Sequence, residues 1–305
     1  MADEQRTDAL SVLIPIAVVA GVVLAARAAW RRFRARLTAN SAILNETLPV
    51  HSAWWRDHAK QPGEVLYVAM GDSAAQGIGA SRPDRSYVGV LARDIRAVTG
   101  RSVRVVNLSV SGATVELAVR DQLPKFAKFR PDVVTVAIGA NDIAKDRWDP
   151  EVFERGIREV FSVLPGHALV ANLPFFYFPH NERKVLLANR ILRGVADEFG
   201  LTVVPLHTVT RLRGVRRMLT HFADDFFHPN DHGYRIWADA FRPSLIADLV
   251  ARFPADAAAP VPDEASDSPV VAEAQARGSE ATGTPRTIAD TEPVTEPDTE
   301  PAVPH

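Results

Sequence analysis

Three continuous apolar runs, each followed by a helical pattern, most constrain what this chain can fold into. They are Val65–Met70, Val103–Leu108 and Asp132–Ile138. Runs of this kind, apolar on both faces of the strand, belong to parallel sheets buried between layers of helix. The helical patterns between them fall at Tyr87–Val98, where Leu91 and Ile95 stand four apart, at Val115–Phe126, interrupted late by Pro124, and at Pro150–Leu164. Two further strands are predicted at His167–Leu173 and Leu201–Leu206, with helices over Asn181–Phe199 and Asp231–Arg252. The expected class is therefore α/β with a mostly parallel central sheet, and such sheets carry their sites at the carboxyl ends of the strands.

The flanks read differently. Ala9–Ala26 is an uncharged run which, extended to Trp30 across Arg27, approaches the ~20 residues that span a bilayer. Residues 9–30 are thus expected to be a retained single-pass anchor, after a short N-terminal segment at 1–8. A cleaved signal peptide competes, since Ala26-Arg27-Ala28 resembles a small-residue cleavage site. Arg27, Arg31, Arg32, Arg34 and Arg36 follow the run, whereas acidic residues dominate before it, which by the positive-inside rule places the domain that follows on the cytoplasmic side of the membrane, with the exported side as the alternative. Residues 31–63 read as a basic juxtamembrane connector, closed by Pro62-Gly63. From Ala255 to His305 there are eleven acidic residues against Arg277 and Arg286, a net of −9 in a chain whose total is −2. With few large apolar side chains and repeated Thr-Glu-Pro, the segment 254–305 is expected to be a disordered acidic tail. The globular domain is left at 64–253.

Three short motifs supply chemistry, and each sits at or beyond the end of a predicted strand or in the last loop. Gly71-Asp72-Ser73 puts a hydroxyl at a strand-to-helix turn, where the Ser73 N–H also points toward developing negative charge. Such a hydroxyl needs a base as it attacks. His228, in Asp225-Phe226-Phe227-His228-Pro229, is the candidate base, with Asp225 three residues before it to hold the imidazole and Asp224 as a rival. Asn141, in Gly139-Ala140-Asn141-Asp142, offers a side-chain amide to an oxyanion, and Gly112 offers a backbone N–H with no Cβ to obstruct substrate. Alternative readings stay open for each: an N-cap at Asp72 or Ser73, a turn residue at Asn141 or Gly112, and a metal cluster formed by His221, Asp224, Asp225, His228, Asp231 and His232. The lack of cysteine excludes thiol catalysis and disulfides. No phosphate-cradling loop or nucleic-acid motif appears, so nucleic acid is not an expected partner.

In this order the motifs resemble the four blocks of the SGNH (GDSL-type) hydrolases: Gly71-Asp72-Ser73 with Gly77, Gly112, Gly139 to Asp142, and Asp225 to Pro229. Ala75 stands where many members carry Thr. The resemblance covers about residues 64–252. It implies a three-layer α/β/α sandwich, flavodoxin-like, no cofactor or metal, and an acyl-enzyme on Ser73. It assigns His228 as base, Asp225 as its orienter, and Ser73, Gly112 and Asn141 as the oxyanion donors. The implied activity is that of a serine esterase or lipase-like hydrolase acting on an ester or lipid substrate. The alternatives are an acyltransferase that delivers the acyl group to a sugar or lipid hydroxyl, and a non-catalytic scaffold. Phe175-Phe176-Tyr177-Phe178 reads either as core or as the lining of an acyl site, and the basic stretch Arg211–Arg217 as a solvated loop or a face for anionic headgroups.

Overall fold

The computed structural model describes residues 21–253, apart from 33–34, 37–38, 41, 43, 45, 146 and 213–217. Five parallel strands form its centre: β1 (Val65–Gly71), β2 (Val103–Asn107), β3 (Val133–Ala137), β4 (Leu169–Ala171) and β5 (Thr202–Val204), in the order β2-β1-β3-β4-β5. The chain runs from β1 outward to β2, then crosses back over β1 to β3. That reversal leaves a crevice beyond the carboxyl ends of β1 and β3, where ligands bind in open α/β sheets.

Helices cover both faces. In chain order they are α1 (Leu48–His58), α2 (Ser73–Gln76), α3 (Tyr87–Thr99), α4 (Val115–Asp121), α5 (Leu123–Phe126), α6 (Ala140–Ala144), α7 (Pro150–Ser162), α8 (Pro179–Glu198), α9 (Leu206–Leu212), α10 (Met218–His221) and α11 (Asp231–Arg252). Alternate residues of a strand point to opposite faces. Accordingly Val65, Tyr67 and Ala69 join one buried cluster with Leu91 and Ile95 of α3 and Phe241 and Leu245 of α11. Val68 and Met70 join the other, with Ile157 and Phe161 of α7 and Val185 and Leu192 of α8. This is the expected α/β fold with a parallel central sheet between two helical layers.

The differences from the sequence expectation lie at element ends and in short helices. β4 and β5 keep three residues each, because only Leu169–Ala171 and Thr202–Val204 share a ladder. The pattern over Val115–Phe126 divides into α4 and α5 around Gln122 and Pro124. Within the stretch read as a connector, α1 packs against the domain, with His51 and Trp55 buried. Of the expected anchor at 9–30, residues 9–20 lie outside the described residues, while 21–32 are helical with Val22, Leu24 and Trp30 exposed. Among the described residues no helix is long and apolar enough to cross a membrane. The acidic tail from residue 254 and Arg213–Arg217 also lie outside the described residues.

Candidate active site

β1 delivers Ser73 directly into α2. Asp72 is the N-cap, its Oδ1 accepting from Ala74 N–H at 2.9 Å. Ser73 is the first residue of that helix, so its own N–H has no partner within the helix. Both ends of this turn are anchored from outside. The buried Gln122 amide donates to Gly71 O at 2.8 Å and accepts from Gly71 N–H at 3.0 Å. Asn107, at the end of β2, donates to Ala75 O at 2.7 Å. Trp55 Nε1–H donates to Gln76 O at 2.9 Å, where His51 Nδ1 also approaches to 3.1 Å.

The loop before α11 brings the imidazole from 155 residues away. His228 Nε2 lies 2.9 Å from Ser73 Oγ, and His228 Nδ1 lies 2.6 Å from Asp225 Oδ2. Asp225 Oδ1 accepts the backbone N–H groups of Phe227 and His228, both at 3.0 Å. Burial would raise the Asp225 carboxyl, but the hydrogen bond and charge of His228 and these two N–H groups hold it below its ordinary value. An ionised Asp225 only accepts, so Nδ1 carries the proton and Nε2 is free to receive one from Ser73. All three residues are buried, with relative exposures of 4% (Ser73), 4% (Asp225) and 7% (His228). The carboxylate that reaches the imidazole belongs to Asp225. Asp224 instead offers its backbone carbonyl to Asn40 Nδ2 at 2.8 Å.

Closing so tight a turn puts Phe226 at φ 54°, an uncommon conformation for a bulky residue. Opposite it, Gly79 has φ 92°, and a Cβ there would fall 2.5 Å from Pro229 O and 3.0 Å from His228 Cβ. Only glycine lets this loop lie against the histidine turn.

Asn141 Nδ2 donates one hydrogen to Ala113 O at 3.0 Å, which orients the amide and leaves its second hydrogen available. Its neighbour Asp142 accepts from Val115 N–H at 3.0 Å and so ties the loop after β3 to the start of α4. Gly112 is exposed with φ 74°, and a Cβ there would meet nothing within 4 Å. The segments that follow β1, β2 and β3 thus carry the three candidate oxyanion donors, Ser73 and Asn141 in the first turns of α2 and α6 and Gly112 in a loop. Burial raises the carboxyls of Asp72 and Asp142 to about 6 each. For Asp72 the Ala74 N–H and the charge of His228 oppose that rise, and for Asp142 the Val115 N–H does. Of the six residues read as a ligand-rich cluster, Asp225 and His228 pair with each other, Asp231 accepts from Ser81 N–H and Oγ at 2.7 and 2.6 Å, and no metal-holding group of three forms among the described residues.

A cavity of about 260 Å³ opens beside Ser73 and His228. Its lining includes Phe175, Phe176, Tyr177 and Phe178 together with Phe222, Phe226, Phe227 and Trp237. The aromatic run that the sequence left between core and acyl site therefore lines the same cavity as Ser73. Phe178, Phe226 and Phe227 are partly exposed at its mouth. Sequence reasoning missed Gln122 and Asn107 as supports of the nucleophile turn. Nothing local marked either, since Gln122 is one of five polar or charged residues in Val115–Phe126.

A parallel α/β sheet with a Ser–His–Asp relay at its carboxyl edge is the layout of a hydrolase. Residues 69–236 match the GDSL-like lipase/acylhydrolase family, and the chain belongs to that family. Among solved structures, the lipase/acylhydrolase from Enterococcus faecalis is similar with a TM-score of 0.52 at 18% identity, over 65% of this chain and 100% of that one. TesA is similar with a TM-score of 0.51 at 22% identity, over 60% and 99%. A catalytic mutant of Axe2, an acetylxylan esterase from Geobacillus stearothermophilus, gives 0.50 at 21% identity, over 61% and 96%. At identities this low the similarities show the shared fold. No curated protein matches the chain.

Proposed function

We propose that the protein is a serine esterase of the lipase-like kind, hydrolysing carboxylic esters through an acyl-enzyme on Ser73. The observation that carries this reading is the continuous relay Ser73 Oγ–His228 Nε2 and His228 Nδ1–Asp225 Oδ2, at 2.9 and 2.6 Å. In the first step Ser73 Oγ attacks the ester carbonyl as His228 Nε2 takes its proton. Asp225 stabilises the imidazolium so formed. The carbonyl oxygen, now negative, is met by the N–H of Ser73, the N–H of Gly112 and the free amide hydrogen of Asn141. Collapse of the tetrahedral intermediate breaks the bond to the alcohol oxygen, which leaves with the proton from His228. Water then attacks the acyl-enzyme by the same route and regenerates Ser73. The aromatic cavity supports esters with an apolar acyl group.

The same acyl-enzyme serves an acyltransferase when a sugar or lipid hydroxyl outcompetes water. The deciding experiment is turnover of p-nitrophenyl esters by the full chain and its Ser73→Ala variant, with product analysis in the presence of added alcohols. Loss of about 10³-fold or more in the variant is expected if Ser73 is the nucleophile. Equal rates in the two proteins would overturn the reading. Transferred acyl product exceeding hydrolysis would move it to the acyltransferase.

A further inference from the structure

We propose that Glu182, together with His207, positions the aromatic wall of the cavity beside Ser73 and so sets which acyl chains the site accepts. The proposal rests on the esterase reading above for its link to turnover. After β4 ends at Ala171, residues 172–178 run without regular structure until α8 begins at Pro179. Asn172 N–H still donates to Val204 O at 3.2 Å, and beyond it no sheet ladder holds the backbone. The N–H groups of this segment are held by side chains of other elements instead. Leu173 N–H donates to Asn189 Oδ1 at 2.7 Å, Phe175 N–H to Thr210 Oγ1 at 2.9 Å, and Phe176 N–H to Glu182 Oε2 at 2.9 Å. Pro174 has no N–H to place.

Glu182 joins two of these supports. Its second oxygen, Oε1, meets His207 Nε2 at 2.7 Å, with both side chains largely buried at 16% and 11% exposure. His207 in turn donates its backbone N–H to Asn172 Oδ1 at 2.8 Å. Its ring stands edge-on to Phe175 at 6.0 Å, Phe175 edge-on to Tyr177 at 5.0 Å, and Tyr177 edge-on to Phe222, another lining residue, at 5.7 Å. One carboxylate thus fixes the backbone of the wall with one oxygen and the start of its aromatic chain with the other. Neither Glu182 nor His207 borders the cavity, so each acts through the phenylalanines in front of it. Losing the acceptor of a half-buried N–H lets the wall relax, and a long chain lying against that wall registers the change more than an acetyl group does.

The test uses the full chain with Glu182→Ala, Glu182→Gln and His207→Phe, on p-nitrophenyl acetate through dodecanoate. In Glu182→Ala the kcat/KM ratio of dodecanoate over acetate should fall by about tenfold or more, chiefly through KM, as for a misplaced apolar contact. His207→Phe should shift it in the same direction. Glu182→Gln, whose amide oxygen still accepts from Phe176 N–H and whose amide N–H can donate to His207 Nε2 in the tautomer protonated at Nδ1, should remain near the unaltered ratio. A parallel calorimetric titration of dodecanoate into Ser73→Ala, with and without Glu182→Ala, reads the wall without any turnover. A weakened affinity supports the proposal, and this holds even if no ester is hydrolysed, in which case the esterase reading alone fails. An unchanged chain-length ratio, an equal loss on acetate and dodecanoate, or equal dodecanoate affinity would overturn it.

Discussion

At the residue scale the site shows how burial and pairing set two opposite carboxyl behaviours within one site. Asp225 is lowered because the His228 charge and three hydrogen-bond donors outweigh its burial. Asp72 and Asp142 are raised to about 6 because their donors do not. The two behaviours have opposite signs in stability. A carboxyl that binds its proton more tightly in the folded state stabilises the fold as pH falls, here from about 6 toward the unfolded value of ~4. Asp225 contributes above ~4, and that contribution is lost as pH falls through its depressed value. The melting temperature is therefore expected to rise from pH 7 to 5 by the contribution of the two carboxyls less the opposing one of His51, whose burial lowers its value, and to fall again below about 4. Asp72→Asn keeps an acceptor for Ala74 N–H but removes one of the two raised carboxyls, so the rise should shrink. Thermal melts across that pH range check both, and an identical profile in the variant would contradict the assignment.

At the element scale, strand and helix positions followed from apolar periodicity, and capping chemistry explains where one of the helices begins. Asp149-Pro150 before Phe153, Ile157, Val160 and Phe161 reads as a cap, a first-turn proline and a buried face. In the structure Asp149 Oδ1 accepts the N–H groups of Glu151 and Val152 at 2.9 and 3.2 Å. Because Asp149 is exposed and does not line the cavity, Asp149→Ala should cost about 1 kcal/mol of stability without changing the chain-length preference. Urea denaturation measures the first and ester turnover the second. Elements whose existence depends on partners were not legible. The short helices α6, α9 and α10 have too few residues for a periodic pattern, and β4 and β5 end where their neighbours end rather than where apolar residues stop.

On the scale of the whole molecule, α1 is the element whose role most exceeds its local sequence. His51 and Trp55 reach Gln76 O, at the far end of the nucleophile helix, and Trp55 is only 3% exposed. Removing residues before Glu64 should therefore lower the melting temperature and weaken Ser73-dependent turnover together. Trp55→Ala should do the same in part, at a stability cost of about 3–5 kcal/mol for an emptied aromatic site. A truncated chain with unchanged melting and turnover would show that α1 is dispensable.

The division between the two sources of information follows from distance along the chain. Ser73, Asn141, Gly112, Asp225 and His228 could be named from sequence as candidates because acyl-transfer chemistry demands particular side chains within short motifs, and the fold brings Ser73, His228 and Asp225 within hydrogen-bond reach. The parallel sheet was identifiable because burial on both faces demands continuous apolar runs. The place of Phe175–Phe178 on the cavity that Ser73 also lines, the grip of Gln122 on Gly71 51 residues away, and the Glu182–His207 pair behind the cavity wall were decided only by the tertiary structure. No local pattern encodes them, since an aromatic side chain packs equally well in a core or against a substrate. A buried amide or carboxylate is specified by the donors and acceptors that the fold brings to it.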